Sequence, residues 1–221
     1  MKHNFLTFLA IAAIGLCFTA CESDDDNNEE IQQTIDGYEF VDLGLSVKWA
    51  TCNVDARTPL DAGYYFQYGN PNASDVKANA NSLPAYEIGG TSYDPATANM
   101  GEKWRMPSYE EFYELYEKCD FRLITDGYGL RYVQVIGPNR NVMEFPLAGA
   151  YPYDNSQLQY DNYQAWLLSS SLDDSGNPRP YAFKVIYTNE TTAPTLDITT
   201  NEVIRLSGVN IRAVSTAVAD R

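Results

Sequence analysis

The chain has 221 residues, 44% of them apolar and 13% aromatic, with 15 basic against 30 acidic side chains and a formal charge of -15. That length suits one folded domain beyond any targeting segment. So negative a surface repels phosphate backbones and anionic lipid heads, which argues against nucleic acid as a partner.

The first 20 residues read as a secretory signal. Lys2 supplies the positive start, and the run from Phe5 to Phe18 is apolar or small apart from Thr7. Its length fits the roughly 7–15 apolar residues of a signal core better than the about 20 of a spanning helix. It ends in Phe18-Thr19-Ala20-Cys21, which resembles a bacterial lipobox and implies lipidation of Cys21 after cleavage. Residues 21–37 then form an acidic, apolar-poor stretch that reads as a flexible tether. An acidic run directly after a lipidated cysteine resembles the export signal of surface lipoproteins in some Gram-negative gut bacteria. The expected location is the outer membrane, surface-exposed and lipid-anchored. With Lys2 removed, 14 basic residues face 30 acidic ones, so a lipid rather than a basic patch would hold the chain to the membrane.

His3 lies in the signal, so the mature chain has no histidine. This removes Ser-His-Asp and Cys-His catalysis and any His-ligated metal site. Of four cysteines, Cys17 and Cys21 belong to the signal and the anchor, which leaves Cys52 and Cys119. Both fall on segments patterned for the core, and an exported protein meets an oxidising environment. A Cys52–Cys119 bond would contribute about 4 kcal/mol by the chain-entropy estimate. Two buried free thiols fit the same pattern, because each also serves as a small apolar residue.

Within residues 38–214, strands and loops outnumber helices. Tyr38 to Val54 reads as two strands around a turn near Gly44 and Leu45, and Gly63 to Gly69 as a third strand. Asn70 to Tyr93 lacks periodicity and reads as a long surface loop. Asp94-Pro95 to Gly101 carries the signals of a short capped helix. Ser108 and Glu111 form a capping box for a second helix, whose buried face is expected to hold Phe112, Leu115, Tyr116 and Cys119. An antiparallel meander follows from Phe121 to Tyr151, then an irregular loop from Pro152 to Gln164. Strands are expected at Ala165–Leu172, Tyr181–Tyr187 and Glu202–Val214, and a frayed tail at residues 215–221.

The landmarks "FVDLGLSVKWATCNV", "GYYFQYGNP", "KWRMPSYEEFYEL", "FPLAGAY", "AWLLSSSL" and "GVNIRAV" occur in that order. In this the chain resembles the bacterial major paralogous domain (FISUMP-type) family over residues 38–214. The resemblance implies an α+β, C-type lectin-like fold: twisted antiparallel sheets, one or two helices and long loops. It departs from the family's Y-W-S-S-S mark at Trp166, whose serines, Ser169 to Ser171, stand two residues further on. A bulge or a displaced Trp is the expected consequence. The likeness extends to formylglycine-generating enzymes, which use a reactive cysteine pair late in the domain. Here no cysteine follows Cys119.

Three functions remain to be weighed: an enzyme of that kind, a structural or adhesin subunit, and a binding module. The tyrosines favour the last. Tyr151, Tyr153, Tyr160 and Tyr163 lie outside the periodic segments among Asn, Asp, Gln and Ser, with Trp166 just beyond. Tyr offers a broad apolar face and a polar tip at low rotamer cost. These five residues are the expected ligand-binding set, for an extracellular glycan or protein, with the Asn70–Tyr93 loop as a second wall. The alternative is that the same tyrosines pack on the core. No cofactor, metal ligand set or catalytic residue is expected; a calcium site has no recognisable motif. A monomer is expected.

Overall fold

The computed structural model describes residues 33–72, 84–153, 157–189, 193–200 and 205–220, which form an α+β arrangement of antiparallel sheets and two short helices. The signal, Cys21 and all of the expected tether up to residue 32 lie outside the described residues. The strands, in chain order, are β1 (Thr34–Ile35), β2 (Tyr38–Val41), β3 (Lys48–Ala50), β4 (Asp120–Thr125), β5 (Arg131–Ile136), β6 (Val142–Pro146), β7 (Ala148–Ala150), β8 (Gln159–Asp161), β9 (Gln164–Leu172), β10 (Pro180–Ile186), β11 (Thr195–Thr199) and β12 (Val214–Ser215). The helices are α1 (Pro95–Met100) and α2 (Tyr109–Lys118). They build four sheets, ordered β1-β2-β3-β12, β11-β10-β9, β4-β5-β6 and β7-β8.

Both domain edges differ from the sequence expectation. The fold starts before residue 38, because Ile35 is fully buried on β1 and pairs with Tyr38 across an Asp36-Gly37 turn. The tail is not frayed. Ser215 is buried and pairs with Lys48, the Asp220 amide donates to the Thr34 carbonyl at 2.7 Å, and the Asp220 carboxylate accepts from the Gly37 amide at 3.1 Å. Lys103 bridges Asp36 at 2.6 Å and Asp220 at 3.5 Å. The two ends thus hold each other by ordinary backbone pairing that a polar heptapeptide gives no sign of. Gly63 to Gly69 contributes only a bridge between Phe66 and Val209. The described part of 202–214 before β12 likewise makes single bridges, at Gly208, Val209 and Asn210.

The stretch from Asp94 to α2 is held by polar contacts within itself. The buried Asp94 carboxylate caps α1, accepting from the amides of Ala96 and Thr97, and also accepts from Gly90 and Met106. Burial pushes this carboxyl above its ordinary range, against the four amides that favour the anion. Ser108 and Glu111 complete the capping box of α2. Glu111 also takes Arg105 in a two-pronged pair at 2.7 and 2.5 Å. Phe112 and Leu115 are buried, whereas Tyr116 is exposed. Tyr116 therefore leaves the expected apolar face and joins Tyr109 and Tyr113 on a neighbouring one.

β9 runs between two apolar clusters. Trp166 and Leu168 point to a cluster with Phe66, Tyr68 and Trp104, and Ala165 and Leu167 to one with Trp49, Phe112 and Phe183. A strand buried on both faces reads as a continuous apolar run rather than an alternation, as "AWLL" does. From Leu168 to Leu172, β9 takes four steps while its partner β10 takes two, from Ala182 to Pro180. The bulge falls on the three serines. Ser169 and Ser170 donate their hydroxyls to the Pro107 carbonyl, and Ser171 accepts from the Tyr109 amide. The offset serines thus grip the entrance to α2, while Trp166 keeps its regular place opposite Lys184.

Arg212, fully buried, donates to the Asn53 side chain at 2.9 Å and to the carbonyls of Ala50 and Thr51. Burial lowers its pKa to about 10. It stitches the segment after β3 to the segment before β12, a role that "GVNIRAV" does not reveal.

The bond expected between Cys52 and Cys119 is absent: both are free, half-buried thiols. Cys52 lines a depression with Gly37, Asn53 and Arg57, while Cys119 lines another with Tyr116, Phe121 and Leu196. Cys119 packs against the apolar cluster that holds Trp49 and Phe112, whereas Cys52 lies beside the Thr51 hydroxyl. Burial pushes the Cys119 thiol up to about 11, with Glu114 and Asp120 adding to the effect, so it stays protonated at neutral pH.

Candidate functional site

The site is built where β7, β8 and β9 meet the 207–209 segment. Gly149, between Ala148 and Ala150, lies at φ +68°, and a Cβ there would stand 2.2 Å from the Gln159 carbonyl oxygen. Glycine therefore lets β7 and β8 close on each other. The turn after β8 is fixed by Asn162, whose side chain accepts from the Arg131 amide at 2.7 Å and donates to the Gly129 carbonyl at 3.0 Å. Tyr160 is held at φ +60°, in the left-handed region. For a bulky residue that is a strained backbone, kept only where the surroundings dictate it. This conformation lays the Tyr160 ring over Trp166, with centroids 6.5 Å apart and planes 25° from parallel.

Tyr160, Trp166 and Tyr151 line a cleft of about 220 Å³. Ala150, Pro152, Ser207 and Val209 complete its described walls. Trp166 is 3% exposed and Tyr160 48%, so one ring forms the floor and the other the rim. The Trp166 indole N–H is satisfied by the Gln164 side chain at 3.0 Å, and Lys184, its cross-strand partner, sits 4.1 Å from the ring centroid. Tyr151 is braced edge-on by Tyr65 at 4.9 Å, and the Tyr65 hydroxyl donates to the Ala148 carbonyl at 2.5 Å. Burial, reinforced by Asp161, raises the Tyr65 pKa, so that hydroxyl remains a donor.

Of the five expected ligand-binding residues, the structure brings Tyr151, Tyr160 and Trp166 together. Tyr153 is 62% exposed and does not line the cleft. Tyr163 turns away from it: its ring takes the Arg131 guanidinium at 4.8 Å, and Tyr187 holds the same group at 4.1 Å. Tyr163 lies in the turn between β8 and β9, and its ring is taken up by Arg131 and Tyr187 rather than by the cleft. The expected second wall, the loop from Asn70 to Tyr93, is described only at its two ends. Residues 73–83 of the 70–93 loop lie outside the described residues. In its described part Tyr86 and Tyr93 pack edge-on against each other, away from the cleft lining. Among the described residues, the 207–209 segment forms a wall of the cleft. It is placed there by the paired Tyr151–Gly208 amides and carbonyls, both at 2.9 Å. A glycine bounded by Ser207 and Val209 was the sole trace of this in the sequence.

Larger depressions lie among the described residues, of about 360 Å³ beside Cys52 and about 560 Å³ beside Cys119. Neither brings three aromatic rings around one volume. No group of three His, Cys, Asp or Glu side chains arranged to hold a metal ion occurs among the described residues. The chain matches no family model, no curated protein and no solved structure.

Proposed function

We propose that this chain is a non-enzymatic binding module of the C-type lectin-like, FISUMP-type kind. It is anchored at the outer membrane surface through lipidated Cys21 and takes an extracellular glycan in the Tyr151–Tyr160–Trp166 cleft. The observation that carries the reading is the convergence of three aromatic side chains on one small volume, with a strained residue at its rim. Tyr and Trp faces stack on the C–H face of a sugar ring, and their polar tips meet its hydroxyls. At about 220 Å³ the cleft is smaller than the about 300–1,000 Å³ of sites that enclose a drug-sized ligand. It suits one ring of a longer glycan, with the rest lying outside. Among the described lining residues no nucleophile stands beside a base, which favours holding a ligand over transforming it. The adhesin reading shares this surface and differs in requiring self-assembly.

A glycan array probed with the purified protein, its Tyr160→Ala variant and its Trp166→Phe variant tests the reading. Enrichment of particular glycans by the wild type, lost in Tyr160→Ala, is the expected result. A wild type that enriches none, or a Tyr160→Ala variant that keeps the same pattern, removes it.

A further inference from the structure

The exposed face of α2 carries a second aromatic feature, unrelated to the cleft. Tyr109, Tyr113 and Tyr116 stand at i, i+4 and i+7, one line along a helix. Their rings follow one another at 6.2 and 6.5 Å, with planes 19° and 28° from parallel. Tyr181 of β10 extends the line, 4.6 Å from Tyr109. Tyr113 and Tyr116 are 49% and 41% exposed. Helix solvent faces are ordinarily charged, so a tyrosine stripe there calls for an explanation beyond packing. The stripe runs into the depression of about 560 Å³ between the end of α2 and strands β4 and β11.

Its surroundings are acidic. Asp173, Asp174 and Glu110 all act on the Tyr181 hydroxyl, and Glu117 and Asp120 line the depression at the other end. Arg179 and Arg122 are the basic residues nearby, and Lys118 is taken up by Glu114 at 2.8 Å. The balance is negative on a chain of net charge -15. The molecule also shows what its tyrosines accept: Arg131 sits against the rings of both Tyr163 and Tyr187, which meet edge-on at 6.3 Å. On α2 no cation of the described residues lies over Tyr109, Tyr113 or Tyr116.

We infer that the Tyr181–Tyr109–Tyr113–Tyr116 stripe is a docking surface for an arginine-bearing peptide segment of a partner protein. The guanidinium planes would lie on the ring faces, and the flanking carboxylates would neutralise them. Arg suits this better than Lys because its planar, weakly hydrated cation stacks.

The test titrates the full chain with blocked, fluorescently labelled Arg-Gly, Lys-Gly and Ser-Gly hexarepeat peptides, read by anisotropy. Wild type is expected to bind the Arg peptide more tightly than the Lys peptide, and the Ser peptide not at all. Tyr113→Ala with Tyr116→Ala should weaken the Arg peptide about tenfold at an unchanged unfolding midpoint. Asp174→Asn with Glu110→Gln should weaken it and flatten its salt dependence. Equal binding of Arg and Lys peptides that the tyrosine variant retains would overturn the inference, leaving only the diffuse field of an acidic protein. So would failure of the Arg peptide to bind, or binding of a soluble neutral glucan that the tyrosine substitutions abolish. Tyr160→Ala, which tests the glycan cleft, should leave all three titrations unchanged, so the two sites fail or stand separately.

Discussion

Trp104 and Trp166 are both buried tryptophans with a satisfied indole N–H, yet they do different work. Trp104 is enclosed on all sides: it is fully buried, donates to the Ile35 carbonyl at 2.9 Å and meets Tyr38 edge-on at 6.4 Å. Trp166, 3% exposed, has its N–H on the Gln164 side chain and Tyr160 and Lys184 against its ring, yet still lines a cleft. A filled environment converts an aromatic ring into stability. A half-filled one leaves dispersion and stacking capacity unused, and that capacity is what a ligand can take up. The segment from Trp104 to Cys119 is therefore scaffold along its inner face, and the β7–β9 corner is where the proposed ligand would have room.

The sharpest way to break this contrast is to truncate both rings. Trp104→Ala should cost about 3–5 kcal/mol in urea unfolding, the range for a fully packed large side chain. Trp166→Ala should cost about 2–3 kcal/mol, because part of its surroundings is already empty. Equal losses would show that the cleft is as well packed as the scaffold.

Gly149→Ala comes next. It must force apart β7 and β8 or strain a backbone at φ +68°, and about 2 kcal/mol is expected. Because β8 carries Tyr160, the variant should also lose ligand enrichment on the array. Full binding in a destabilised Gly149→Ala would detach the cleft from the geometry that builds it.

Tyr160→Ala probes the rim of the same corner. Its ring is half exposed, so the unfolding midpoint should shift by less than about 1 kcal/mol while the bound glycan is lost. A large drop in stability would assign Tyr160 to the core.

The smallest effect belongs to the clasp between the ends. The Gly37 amide, foremost, holds the Asp220 carboxyl below its ordinary range, helped by Thr34 and Lys103. A depressed carboxyl contributes stability above its unfolded pKa of about 3.9, and that contribution fades as pH falls through the folded value. Wild type and Asp220→Asn should therefore differ slightly at pH 6 and converge on acidification below about pH 4. Curves that stay parallel through that window would remove Asp220 from the clasp.

Much of the scaffold was legible because its signals are local. The Asp94 and Ser108 caps, the turn between β2 and β3 and the β4–β6 meander each depend on residues a few positions apart, and each formed as the pattern implied. The two-residue slip of the serines was readable as a bulge. Its purpose was not, since Pro107 lies 62 positions from Ser169.

The candidate site was half legible. A tyrosine-rich irregular segment beside Trp166 marked the neighbourhood, and three of its five residues converge. Which three depended on the left-handed backbone at Tyr160 and Asn162, and on Arg131 drawing Tyr163 to the other face. The separation of Cys52 from Cys119, the pairing of the Ser207–Val209 wall with Tyr151, and the union of Thr34 with Asp220 were likewise settled in three dimensions. Spacing and composition sufficed for caps, turns and strand pairs because their energies arise between near neighbours. The cleft, the free thiols and the clasp arise from contacts between distant segments, and a linear pattern carries no measure of which distant groups a folded chain brings within a few ångströms.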